Sequence, residues 1–336
     1  MITIPNSTES IENSAFSGCI SLKHIIISSS VKSIGEYAFN GCKLLEKVTI
    51  QAHIAEIGNY IFRKCISLKE IEIPSSVELI GIGSFYECSL LKEITIPSVT
   101  SIGGSAFYGC TSLTQITIPS VTSIGGSAFY GCTSLTQITI PSVTSIGRAV
   151  FYGCTSLSNI SIPFCIINPY AFAKCGESVN ISIIRKERYQ IDQPKVGNHQ
   201  PIFSGCKSIT FDKDTEIFPF NLFISCDSLE EIKFNSSIKE ICEFAFYNCS
   251  SLKEIIFPDD SNLNTIKPSV FQKCISLQKV KLPSSLSYIG KYAFSECVEL
   301  EQINIPSKVT TIDIGAFSGC SSLKQITIPS SQSQLL

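Results

Sequence analysis

Tryptophan is absent from the 336 residues, methionine occurs once, and histidine three times, at His24, His53 and His199. So few imidazoles argue against a His-rich metal site and against a His-based acid–base enzyme. Charge is also scarce. Only 16% of residues are charged, and 26 Lys plus Arg against 28 Asp plus Glu leave a net charge of −2. Nucleic acid as the main partner needs a basic excess or patch, and there is no such excess. No run of 18 apolar residues exists, so no transmembrane helix is expected. The opening MITIPNSTESIENSAFSGC has neither a basic n-region nor an apolar run of signal length, and the closing SSQSQLL has no lipidation box. At face value the chain reads as soluble and not exported. Gly-x-Ser-x-Gly, His-Glu-x-x-His and the P-loop lysine pattern do not occur. Gly81-Ile82-Gly83 runs into Ser-Phe-Tyr-Glu and leaves the dinucleotide fingerprint incomplete. No catalytic residue, metal ligand or cofactor is therefore assigned.

What the chain does contain is repetition. Residues 96–117 read IPSVTSIGGSAFYGCTSLTQIT, residues 118–139 repeat that string letter for letter, and 140–161 are a third, lightly altered copy. A Phe-x-x-Cys anchor recurs from Phe16/Cys19 to Phe317/Cys320 in 14 units that use 14 of the 16 cysteines, mostly 22 or 23 residues apart. The largest departure is 31 residues between Cys175 and Cys206, followed by 20 to Cys226.

Each unit has a physical reading. After the Cys come a Leu, two polar residues and an apolar–x–apolar triplet, as in Leu113, Ile116 and Ile118, which is the pattern of a short strand. In ten units Pro follows the triplet, ending the ladder because it has no N–H to donate. A Ser/Thr turn leads to a second apolar point such as Val121 and Ile124. Gly follows that Ile in seven units, but Glu12, Lys267 and Asp313 stand there in others, so no Gly-only backbone angle is demanded. The Ala-Phe-x-x-Cys segment is too short for more than one helical or 3₁₀ turn. A single unit cannot bury its apolar side, whereas stacked units can, so residues 1–330 are expected to form one solenoid with 15 strands and a Phe-lined wall. Residues 184–201 should loop out, either as a contact loop carrying Arg185, Lys186, Arg188 and Lys195 or as a decayed repeat, and 331–336 form a short tail.

Sixteen cysteines raise the question of disulfides. Equivalent residues in adjacent turns would sit ~4.8 Å apart with parallel side chains, a poor geometry for a bridge. A column of free buried thiols is the favoured reading, which fits a cytosolic or membrane-peripheral compartment. Cys165 and Cys242 fall outside the column, and Cys242, in the place of the Gly, is expected to be partly exposed.

Leu-x-x-Ile-x-Ile-Pro, then Val-x-x-Ile-Gly, then Ala-Phe-x-x-Cys resembles the BspA-like leucine-rich repeat family over almost the whole chain. The resemblance implies a leucine-rich-repeat solenoid of about 14 repeats of 22–23 residues, with a parallel β-sheet on one face and short turns or 3₁₀/helical turns on the other. It further implies a cell-surface adhesin or antigen that attaches to host protein, matrix or glycan, an alternative to the intracellular placement.

Strand side chains alternate, so the residues flanking the buried Ile should face outward. His24, Lys47, Glu70, Glu72, Glu93 and Thr95 come first, followed by a neutral stretch of Gln115, Thr117, Gln137, Thr139, Asn159 and Ser161. Glu231, Lys233, Glu254, Lys279, Lys281, Gln302 and Gln325 follow. We expect a protein partner along this face, with Glu70, Glu72, Glu93, Thr95, Gln115, Thr117, Gln137, Thr139, Asn159, Lys233, Lys279 and Lys281 as contact residues. The Thr95–Thr117–Thr139 row could order water or a glycan, or simply record recent duplication. Neither end shows a polar cap, so the ends are expected to be covered by another molecule, to stack on each other, or to continue into a longer chain.

Overall fold

A computed structural model describes residues 1–163, 165–184, 201–211, 213–218 and 222–327. The expected excursion at 184–201, apart from its first and last residues, and the tail 331–336 lie outside them. The chain divides into two compact units, residues 1–176 and 177–336.

In the first unit the outward-facing strands run from Ile2–Thr3 through Glu93–Thr95, Gln115–Thr117 and Gln137–Thr139 to Asn159–Pro163, all parallel where they pair. The second unit repeats the pattern from Ser178–Ile184 through Glu231–Lys233 and Glu254–Ile256 to Gln325–Thr327. Between the fully exposed terminal strands Ile2–Thr3 and Gln325–Thr327 burial alternates: in Gln115–Thr117 the two outer residues are exposed and Ile116 is buried. That alternation fixes the register, because a slip of one residue would turn every Ile outward.

Most turns also carry a second, two-residue strand at the point where the sequence shows Ser-Ile or its equivalent. In the first unit six of these, from Glu56–Ile57 to Ile166–Ile167, pair in one unbroken parallel ladder. From the letters alone this place is only a second apolar point, as at Val121 and Ile124.

The Phe-x-x-Cys side consists of short turns, the first of the two expected forms, with no helix or 3₁₀ segment among the described residues. The reason lies in where the amides go. Ser105, Phe107 and Gly109 donate forward, to the carbonyls of Gly126, Ala128 and Tyr130 in the next turn. Between them, Ala106, Tyr108 and Cys110 donate back three residues, to Gly103, Ser105 and Phe107. A helix would need every one of these donors within its own turn. Left-handed backbone at Ser105 (φ 54) and Gly109 (φ 69) produces the alternation. Lys64 and Glu87 adopt it too, so glycine is not required there.

The glycine after the Ile has a different cause. A Cβ at Gly125 would lie 2.5 Å from the amide nitrogen of Gly104, so the backbone of the preceding turn takes the space. Asn168 stands at this place in a later turn and donates its side-chain amide to the Ile146 carbonyl at 2.9 Å.

Inside, the Phe rings stack. From Phe16 to Phe172 successive centroids stand 5.1 to 5.6 Å apart with planes within 21°. From Phe223 to Phe317 the spacings are 5.3 to 5.5 Å. None of the sixteen cysteines is in a disulfide. Most column thiols point at the carbonyl of the Phe one turn back, as Cys65 to Phe39 (3.1 Å) and Cys132 to Phe107 (3.2 Å), whereas Cys206 turns to the carbonyls of Glu177 and Ser208. Cys242 is buried, contrary to expectation; the exposed cysteine is Cys19.

Candidate binding surface

All twelve expected contact residues are exposed and lie on the outward side of the long strands. In the first unit Lys47 and Thr49 stand beside Glu70 and Glu72, Glu93 and Thr95 beside Gln115 and Thr117, and Gln137 and Thr139 beside Asn159 and Ser161. In the second, Ser208, Glu231, Glu254 and Lys279 form one row and Thr210, Lys233, Ile256 and Lys281 the next. The strands bring these residues together because equivalent positions of successive repeats are hydrogen-bonded neighbours.

Much of the charge on these rows is engaged with itself. Lys47 bonds Glu70 at 2.7 Å, Lys69 bonds Glu46 at 3.1 Å, and Lys233 approaches Glu231 at 3.4 Å. Lys253 reaches Glu230 at 2.6 Å, Lys281 reaches Asp259 at 2.8 Å, and Lys279 pairs with Glu254. The hydrogen bond from Lys47, with its charge, holds Glu70 below the ordinary carboxylate range, and Glu70 in turn raises Lys47. Glu230 is lowered in the same way by Lys253. Exposed pairs of this kind add little stability, but they cancel the field of the charges they hold. Glu72 and Glu93 form no ion pair among the described residues. A shallow depression of about 340 Å³ lies on the second unit's face, lined by Lys207, Ser208, Glu230, Glu231, Lys253 and Glu254.

Between Glu93 and Lys174 the chain carries one charged residue, Arg148. The outward rows through Gln115, Thr117, Gln137, Thr139 and Asn159 are therefore amides and hydroxyls alone. Such a surface can exchange hydrogen bonds with a partner, and it offers no acid–base pair or nucleophile.

Several buried thiols offer none either. Burial pushes Cys42 up to about 11 and Cys110 up to about 12. Cys165, half-buried, is likewise raised by burial to about 12. A thiol that keeps its proton at neutral pH is a poor nucleophile and a poor metal ligand. No group of three or more potential metal ligands is assembled among the described residues.

The sequence reading missed a third row. Tyr86, Tyr108, Tyr130 and Tyr152, each directly after a column Phe, stack on the opposite side of the first unit with centroids 4.7, 4.7 and 4.8 Å apart. The signal was present as a Tyr after the Phe in four successive repeats.

The repeat pattern matches the BspA type leucine rich repeat region over residues 1–114, 100–193, 195–266 and 260–335, in six copies. The chain belongs to the BspA-type leucine-rich repeat family. Among solved structures, this BspA-type chain is similar to a leucine-rich repeat protein from Bacteroides ovatus, at 29% identity and a TM-score of 0.50, covering 97% of this chain and 91% of that one. It is also similar in sequence to a leucine rich cell surface protein from Faecalibacterium prausnitzii, at 30% identity, covering 99% and 88% of the two chains, with a TM-score of 0.45. No curated protein matches it.

Proposed function

We propose that the chain is a non-catalytic binding scaffold that engages a protein partner through the outward rows of its long strands. The observation that carries this reading is the uncharged stretch of the first unit. There Thr95, Gln115, Thr117, Gln137, Thr139 and Asn159 are exposed with their hydrogen-bonding groups turned outward. Many flanking charges are already neutralised by their neighbours. Extended repeat faces of this kind bind by many moderate contacts spread over several turns.

A second reading, attachment at a cell surface to host protein, matrix or glycan, is favoured by the Faecalibacterium relative, which is described as a cell surface protein.

One experiment tests both. The purified chain is applied to immobilised extracellular-matrix proteins and to intact cells, alongside Gln115→Arg/Gln137→Arg on the face and Thr122→Arg/Thr144→Arg away from it. The face variant is expected to bind about tenfold more weakly, a loss of about 1.4 kcal/mol, with the second variant unchanged. Equal binding by all three overturns the assignment of the face. Binding to neither matrix nor cells overturns the attachment reading.

A further inference from the structure

We propose that the tyrosine row of the first unit is a site of oxidative cross-linking, in which neighbouring turns become joined by a carbon–carbon bond between phenol rings. Tyr86, Tyr108, Tyr130 and Tyr152 lie at the same place in four successive turns, and their planes agree within 7 to 10°. Rings related by an almost pure translation set each ortho carbon opposite its equivalent at close to the ring spacing of 4.7 to 4.8 Å. A second such pair is Tyr37 with Tyr60, at 4.7 Å and 11°.

Three further features suit the rings to this chemistry. They are half-buried, so a small oxidant or radical mediator reaches their edges while the stack fixes their partners. Next to Tyr130 and Tyr152 the backbone is glycine. A Cβ at Gly131 would meet nothing within 4 Å and one at Gly153 nothing nearer than 3.9 Å, which leaves room for the rings to tilt together. The thiols, which would otherwise be oxidised first, are mostly buried, and apart from the exposed Cys19 those of the first unit's column donate to backbone carbonyls.

The step balances as follows. Each of two adjacent phenols gives one electron and one proton to a peroxidase-type oxidant driven by hydrogen peroxide. The two phenoxyl radicals couple ortho carbon to ortho carbon, and the hydrogens displaced from those carbons return to the phenol oxygens. The protein loses two hydrogen atoms in all, and one hydrogen peroxide becomes two waters.

The ends of the row are biased against oxidation. The Arg63 guanidinium lies over Tyr86 at 5.2 Å and the Lys174 ammonium over Tyr152 at 5.4 Å. A cation over a ring face opposes removal of an electron from that ring. Tyr108 and Tyr130 stack only on other tyrosines, so the principal link falls between them.

The test uses the full chain at low concentration, treated with a haem peroxidase and hydrogen peroxide. Trypsin cuts nowhere between Lys92 and Arg148, so a Tyr108–Tyr130 link appears inside the single peptide 93–148 as a loss of two hydrogens. A Tyr130–Tyr152 link instead joins that peptide to 149–174. Blue dityrosine fluorescence should rise without a covalent dimer. Tyr108→Phe/Tyr130→Phe keeps the rings and removes three of the four stacked Tyr pairs among the described residues, so the signal should fall to about a quarter or less. Tyr288→Phe should leave it unchanged. Fluorescence equal in the double variant and the parent, or dityrosine found only between chains, overturns the proposal.

Discussion

The thiol of Cys132 donates to the carbonyl oxygen of Phe107, one turn back, at 3.2 Å. The same oxygen accepts the amide of Cys110 in its own turn at 3.2 Å. The Phe-x-x-Cys anchor is thus a hydrogen-bonding device as well as a packing one: the cysteine amide closes its own turn and its thiol reaches the preceding one. Cys132→Ala should cost about 1–2 kcal/mol, from one lost hydrogen bond and a small void. Cys132→Ser, which keeps a donor, should cost less. Urea midpoints of the two variants check the order, and equal losses would reduce the thiol to a space-filler.

Phe129 is fully buried, with its ring centroid 5.2 Å from Phe107 and 5.3 Å from Phe151. Phe129→Ala opens a cavity that the two flanking rings cannot close while the strands hold their spacing. We expect a loss of about 3–5 kcal/mol, read from denaturant titration. An unchanged midpoint would contradict a continuous ring stack.

Stability should decline in alkali. Burial raises Cys42 to about 11 and Cys110 to about 12, against 9.0 for a free thiol. The unfolded chain therefore releases these protons first. As pH climbs from about 8.5 the unfolded state binds fewer protons than the native one, and stability falls until the folded thiols themselves titrate. Denaturant midpoints at pH 8 and pH 10 should differ in the parent and differ less in Cys110→Ala/Cys132→Ala. Identical slopes would assign the alkaline loss to other groups.

Two glycines separate crowding from backbone angle. Gly125→Ala forces a methyl to within 2.5 Å of a backbone nitrogen and should cost about 2–3 kcal/mol. Gly131 has open space but φ +69, so Gly131→Ala should cost only about 1 kcal/mol. Thermal melts of the pair decide, and the reverse order would refute the steric account.

Because 96–117 and 118–139 are the same string, deleting 118–139 rejoins Thr117 to Ile140 in an unchanged local context. The shortened chain should fold cooperatively, with a denaturant slope reduced roughly in proportion to its length. Loss of cooperative unfolding would show that turns depend on more than their neighbours.

Much of this architecture was legible in the letters. The Phe-x-x-Cys columns and the outward Gln, Thr and Glu rows follow from spacing and from the two-residue period of a strand. The second ladder was not, because two-residue strands such as Ser123–Ile124 have no period to detect. Nor was the forward-and-back alternation of amides from Ser105 to Cys110, since backbone hydrogen bonds leave no residue signature. Crowding at Gly125 depends on how closely the previous turn approaches, which only coordinates disclose. On the outward face, the exposure of these residues was legible but not their ion pairing, because Lys47 and Glu70 are neighbours only once the turns stack.

The forward-donating amides, the ring stack and the thiol contacts of the first unit all link one turn to the next. Pulling on that unit along the stack would load these links in series, and the weakest junction would yield first, releasing a turn's length of chain while its neighbours held. Such a body resists tension as a chain of small sacrificial catches, giving way stepwise where a single rigid block would snap.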